Sequence, residues 1–146
     1  MIFSDEYFMK IALQEAKIAF DEDEIPVGAI IVNNNRIIAK SHNLTEKLSD
    51  ATAHAELLCI TAANVFLGQK YLKNCTLYVT LEPCIMCAGA LFWSQISRVV
   101  YAAYDDKYGF STFEKNVLHP NTQISRGVLK EAAEQLLNDF FSKLRK

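Results

Sequence analysis

The sequence predicts a layered α/β domain in which helices cover a five-stranded mixed sheet, a reading that rests on three observations. Apolar residues recur at helical spacing after Ser4 and again after Thr52. Short β-rich runs, VGAIIV, RIIAKS, CTLYVT and SRVVYAA, stand between the helical stretches. Read in order, the chain gives helix, hairpin, helix, strand, helix, strand, strand, helix. With 146 residues, 51% hydrophobic and 22% charged, it has the size of one globular domain able to bury its own core. No repeat, low-complexity tract or linker divides it, so residues 1–146 read as a single domain.

Each element has its own warrant. Ser4 before Asp5 and Glu6 suits a helix start, since a hydroxyl and early acids match the free amides and the positive dipole end. Phe8, Ile11, Ala12, Ala16, Ala19 and Phe20 carry that helix to about residue 20. After Pro26, VGAIIV and RIIAKS flank Asn33, Asn34 and Asn35, residues that tolerate left-handed turns, and form a hairpin. AHAELLCITAANVF has helical spacing and a hydroxyl, Thr52, near its start, giving a helix from Thr52 to about Phe66. CTLYVT at 75–80 is a buried strand. Pro83 suits the first turn of a helix running to about residue 95, and SRVVYAA at 97–103 is the next strand. Residues 104–120 lack clear periodicity, a length of loop that is often functional. A short strand at 123–125 and a helix from about 128 to 144 complete the order.

A net charge of −2 gives no bulk attraction to nucleic acid. The closing FFSKLRK, with Lys143, Arg145 and Lys146 beside Phe140 and Phe141, and the early acidic run DEDE at 21–24 read by themselves as solvated surface. The N-terminus lacks a basic region followed by an apolar segment, and no stretch reaches the roughly 18 apolar residues of a membrane span. A cytoplasmic protein without a membrane partner is expected, and its four cysteines are expected to be thiols or metal ligands.

The chemistry concentrates in EPCIMCAG at 82–89. Its cysteine pair alone could be a redox dithiol, half of a metal site or ordinary core packing. If Pro83 opens a helix, Cys84 and Cys87 lie at i and i+3 and project from one face near its N-terminus, where thiolates form more easily. TAHAE at 52–56 supplies the rest: His54 in the first turn of the second helix, and Glu56 two positions later. That spacing makes Glu56 a poor companion ligand but lets it reach a water on the metal from the side. Three protein ligands with one open position mark a catalytic rather than a structural zinc site. H-x-E followed by P-C-x-x-C is the known signature of zinc-dependent nucleobase deaminases. In that chemistry zinc on His54, Cys84 and Cys87 activates water to attack the amine-bearing ring carbon. Glu56 takes the water's proton, passes it to the ring nitrogen and then protonates the departing ammonia. Cys59 and Cys75 read as buried hydrophobes, and His42 and His119 fall in loops as non-ligands.

Beyond the signature, DEIPVGAIIV, DATAHAE, LYVTLEPCIMCAGA, SRVVYAAYDDK and the closing GVL and LLNDFF resemble the bacterial tRNA-specific adenosine deaminases over nearly the whole chain. The resemblance implies a cytidine-deaminase-like three-layer α/β/α fold, one zinc ion per subunit, a homodimer and conversion of the wobble adenosine of an arginine tRNA anticodon to inosine. It further implies that Asn43 contacts the flipped nucleoside, that Asp105 contacts the neighbouring ribose and that Lys107 meets a phosphate. Val27, Leu81 and the Ala55 backbone would wall the pocket, and Phe141 and Arg145 would touch RNA. An anticodon loop is already single-stranded, so extruding its base costs little. Phe92 and Trp93 are large aromatics expected in the core or at the dimer interface. The competing readings are a deaminase of free guanine or cytosine, a non-catalytic zinc scaffold and a dithiol oxidoreductase.

Overall fold

The computed structural model describes residues 2–145. Four helices, α1 (Asp5–Asp21), α2 (Ala55–Leu67), α3 (Ile85–Ser94) and α4 (Lys130–Leu144), alternate with five strands in the expected order. The strands β1 (Gly28–Asn33), β2 (Arg36–His42), β3 (Cys75–Leu81), β4 (Arg98–Ala103) and β5 (Gln123–Arg126) form one sheet ordered β2-β1-β3-β4-β5. β1 runs antiparallel to both β2 and β3, while β3, β4 and β5 are mutually parallel, so the sheet is mixed.

Local chemistry explains the elements. The Ser4 hydroxyl accepts from the Tyr7 N–H at 3.1 Å and caps α1. Asn34 and Asn35, at φ 51° and 64°, make the left-handed turn joining β1 to β2. Side-chain alternation along the strands then builds two cores. Ala29, Ile31, Leu77, Val79, Val99 and Tyr101 pack with Ala55, Cys59, Ala63, Ala88 and Leu91 of α2 and α3. Ile30, Val32, Tyr78, Val100 and Ala102 face the other way, against Phe8, Met9 and Ala12 of α1 and Ala133 of α4. The result is three layers, helices over both faces of the sheet. Gly28 is obligatory there: a Cβ would lie 2.1 Å from the Ala12 carbonyl oxygen, so β1 and α1 approach too closely for any side chain.

Polar side chains fix α1 over the parallel strands. Arg98 of β4 donates two hydrogen bonds to Asp5, at 2.8 and 2.7 Å, and a third to Ser125 of β5 at 2.9 Å. The Tyr78 hydroxyl of β3 donates to Asp5 at 2.7 Å.

Several boundaries depart from expectation. α2 starts at Ala55 and α3 at Ile85, so His54 and Cys84 occupy the capping positions rather than the first turns. Pro83 therefore precedes α3 instead of opening it. The aperiodic 104–120 stretch holds a 3₁₀ turn at Phe110–Thr112 and is anchored by buried Phe110 and Leu118. His42 ends β2 rather than sitting in a loop, with its ring nitrogens 3.1 Å from Glu15 and 2.9 Å from Glu22. Lys146 of the basic tail lies outside the described residues. Among those residues no helix is long and apolar enough to cross a membrane.

Candidate active site

The hairpin, the starts of α2 and α3, and the loop after β4 meet at the carboxyl end of β3. A cavity of about 250 Å³ opens there, lined by Val27, Asn43, His54, Glu56, Leu81, Cys84 and Asp105. Ile25, Thr45, Glu82 and Tyr108 complete its wall. Ligand sites of open sheets containing parallel strands collect outside such carboxyl ends.

His54 and Cys84 both have extended backbones at their helix caps, and neither side chain caps its own helix. Their donors are thus free to turn inward, toward the positive ends of α2 and α3. His54 Nδ1 lies 3.7 Å from Cys84 Sγ and 3.5 Å from Cys87 Sγ, and the three atoms all fall within 4.8 Å of one another. A tetrahedral zinc, bonded at about 2.3 Å to sulfur and about 2.0 Å to nitrogen, separates the two kinds of donor by about 3.6 Å. The donor set fits zinc in spacing and in chemistry.

Charge at the site is arranged to match. The hydrogen bond from the Cys87 thiol, assisted by His54, holds Cys84 down to about 4. The same bond pushes Cys87 up, with burial adding to it. These opposite shifts describe one proton shared by the pair, not two independent thiols. The hydrogen bond to Cys84 also raises His54, and its attraction outweighs the effect of burial. A cation at the three donors would displace those protons, because metal ligands bind deprotonated. Burial is the largest influence on Glu56 and pushes its carboxyl up to about 7.

Asn43 is buried, and its side-chain oxygen accepts the Ala55 N–H at 2.8 Å. A backbone N–H can only donate, so the amide orientation is fixed and the Asn43 nitrogen remains the donor for a ligand. Ala55 stands behind the wall rather than on it: its N–H serves Asn43 and its carbonyl accepts the Ser41 hydroxyl at 2.7 Å. Asp105 lines the cavity, and its Oδ1 accepts the N–H groups of Lys107 and Tyr108. Lys107 lies beside the mouth, with Nζ 5.3 Å from the Tyr108 ring centroid. Phe141 lines a separate groove with Glu22, Asp23 and Glu46, which shares Ile25 and Thr45 with the cavity that holds His54 and Cys84. Arg145 caps the end of α4. Cys59 and Cys75 are fully buried, and burial pushes the Cys59 thiol up to about 12, as suits packing residues. His119 accepts the Asn121 N–H at 3.1 Å and lies against the Phe92 ring, apart from the cavity.

On this fold, three metal donors suit a hydrolytic site only if a carboxyl able to carry a proton stands alongside, and buried Glu56 lies in the same cavity. That pairing places the molecule in the class of zinc-dependent deaminases. The chain belongs to the cytidine and deoxycytidylate deaminase zinc-binding family, whose model matches residues 3–103. It is 50% identical to a tRNA-specific adenosine deaminase of Aquifex aeolicus, over 96% of this chain and 95% of that protein. A Bacillus subtilis tRNA-specific adenosine deaminase is 45% identical, over 97% of this chain and 91% of its own length. A structure solved in work on A-to-I editing by tRNA:A34 deaminases at the wobble position of transfer RNA superposes with TM-score 0.84 at 40% identity. It covers 90% of this chain and 99% of that one.

Proposed function

We propose that this chain is a zinc-dependent tRNA adenosine deaminase that converts the wobble adenosine of an arginine tRNA anticodon to inosine. The carrying observation is the convergence of His54, Cys84 and Cys87 beside buried Glu56 in one cavity, on a chain closely similar to tRNA-specific adenosine deaminases. His54 Nδ1 and the two sulfurs would hold one zinc ion per subunit, which would supply Lewis-acid activation of a water.

The chain's own groups perform the remaining work. Glu56 accepts a proton from the water as the new C–O bond forms at the amine-bearing carbon of adenine. It delivers that proton to the adjacent ring nitrogen, then takes the remaining proton of the newly added hydroxyl and passes it to the exocyclic amine, so that the C=O of inosine forms as the C–N bond breaks and ammonia departs. The Asn43 amide and the apolar walls of Val27 and Leu81 orient the flipped base, and the cavity excludes bulk water around it. Asp105 meets the neighbouring ribose and Lys107 a phosphate. Phe141 extends the contact along the RNA, supported by Ile25 and Thr45, which its groove shares with the cavity, and Arg145 at the end of α4 adds a positive charge, whereas Glu22, Asp23 and Glu46 in that groove oppose a phosphate there.

A homodimer working in the cytoplasm completes the proposal. It is supported by the exposed apolar side chains of α2 and α3: Val65, Phe66, Ile85 and Trp93. The deciding experiment incubates the zinc-loaded protein with tRNA transcripts, free adenosine, cytidine and guanine, sequences the reverse-transcribed tRNA, where inosine reads as guanosine, and assays the free substrates for their deaminated products. Inosine at the first anticodon position is expected. Guanine turnover with inert tRNA would overturn the reading in favour of a free-base deaminase.

A further inference from the structure

The loop after β4 does more than close one side of the cavity. Tyr108 lines the cavity while remaining 63% exposed, so it belongs to the wall and to the solvent-facing rim at once. An exposed aromatic alone is unremarkable, but the backbone around this one is held at five points. Asp105 accepts the Tyr108 N–H at 2.9 Å. Glu82, 3% exposed, spends one oxygen on the Asp105 N–H at 3.0 Å and the other on the Ser111 N–H at 2.9 Å. Gly109 forms a bridge with Cys84, and the Phe110 N–H donates to the Pro83 carbonyl at 3.0 Å. A Cβ at Gly109 would meet the Glu82 carboxyl at 2.4 Å, so only glycine lets the loop lie this close. The loop is thereby tied to the turn that carries a zinc-site cysteine, and Tyr108 is presented at a fixed distance from the reacting centre.

We propose that Tyr108 is a stacking platform for the base of a nucleotide adjacent to the adenosine that enters the cavity. The inference rests on the RNA reading above. A base extruded from a loop leaves its neighbours without a stacking partner, and an exposed ring beside the opening replaces it. Lys107 Nζ lies over one face of the same ring, 5.3 Å from its centroid, so the base takes the opposite face and the ammonium is left to meet the phosphate that follows it. Every base has a π-face, so the contact supplies affinity and register rather than base identity. A free nucleoside has no neighbouring base and gains nothing from it.

The test is a double-mutant cycle between protein and RNA. Zinc-loaded wild type, Tyr108→Ala, Tyr108→Phe and Tyr108→Trp are assayed on an anticodon stem-loop, intact or with an abasic nucleotide on either side of the reacting adenosine. Tyr108→Ala is expected to raise KM and Kd about 5- to 150-fold with the loss falling on KM rather than kcat, while the Phe and Trp variants remain near wild type. The abasic change at one flank should weaken wild-type binding similarly and add little in Tyr108→Ala, a non-additivity that a merely structural role would not produce. Additive effects at both flanks would overturn the inference, as would equal losses for Ala and Phe, which would assign the effect to the hydroxyl. Unchanged RNA binding with a raised KM for free guanine would make Tyr108 a lid over a small ligand instead. RNA deaminated normally by Tyr108→Ala at unchanged KM defeats this inference alone. Absence of inosine with the wild type defeats the RNA reading with it.

Discussion

Glu56 is the residue on which the proposed chemistry turns. It is buried beside the three donors and held near neutrality by desolvation, yet its position one residue beyond Ala55 keeps it out of the ligand set. Glu56→Gln preserves shape and removes the proton carrier, so deamination should fall about 100- to 10,000-fold, the usual worth of general acid–base catalysis. Zinc content, measured by atomic spectroscopy, should stay the same. Near-normal rates with zinc in place would sink the assignment. The residues that matter most here were legible because their chemistry is unusual at short spacing: His54, Glu56, Cys84 and Cys87 stand out in any reading of the chain. Glu82, Ile25, Thr45 and Tyr108 were not. Glu82 lies inside the same motif, but its partners, Asp105 and Ser111, are 23 and 29 residues away, and no periodicity announces a hydrogen bond across a loop. Tyr108 could have been noticed beside Asp105 and Lys107, since an aromatic next to a base in an aperiodic stretch is a cue for stacking.

At the scale of elements, the sequence placed α2 and α3 correctly but began them two or three residues early, and the causes are identifiable. Thr52 looked like a cap, yet its hydroxyl and its N–H both donate to Asp50 at 2.8 Å, forming a local turn instead. The partner that α2 uses comes from far away, as Asn43 accepts the Ala55 N–H. Pro83 stays outside α3, where its carbonyl accepts the Phe110 N–H at 3.0 Å. These shifts matter chemically, for they put His54 and Cys84 at helix caps, where side chains can leave the helix axis and converge. The start of α1 was read correctly, but the role of Asp5 was incomplete: besides serving the first turn, it accepts from Arg98 and Tyr78 on two strands. The Arg98 hydrogen bonds hold the Asp5 carboxyl below its ordinary value, with Tyr78 assisting. A folded pKa below the unfolded one contributes stability above the unfolded value, about 3.9, and loses it as pH falls through the folded value. Melting curves of wild type and Asp5→Asn should therefore differ most above about pH 4 and converge in stronger acid as Asp5 protonates in both states. A gap that stays constant down that acid limb would show that Asp5 acts by shape rather than charge.

At the scale of the whole molecule, strand identity was readable from alternation, but sheet order was not. β1 pairs with β3 across more than forty residues, and only the closed structure shows which neighbours share a core. The same limit applies to the outer surface. Trp93 and Phe92 follow Leu91 of the α2/α3 core, and the sequence left open whether they pack inward or outward. Phe92 packs edge-on to Trp93, with ring centroids 5.3 Å apart, whereas Trp93 is 76% exposed. It borders a groove lined by Ile60, Tyr71 and Ala90 between α2 and α3, and Val65 of α2 is 78% exposed. An indole this exposed does not hold the monomer together, so replacing it should cost folding little. If a second copy covers this face, however, a central tryptophan is the kind of residue that dominates an interface, worth 2 kcal/mol or more, or about 30-fold in the dimer dissociation constant. Sedimentation equilibrium should therefore show a dimer for the wild type and a concentration-dependent shift to monomer for Trp93→Asp, with the melting of the diluted monomer unchanged. A wild type that sediments as a monomer at every concentration would remove the homodimer from the proposal. A Trp93→Asp protein as tightly dimeric as the wild type would instead move the interface off the α2/α3 face.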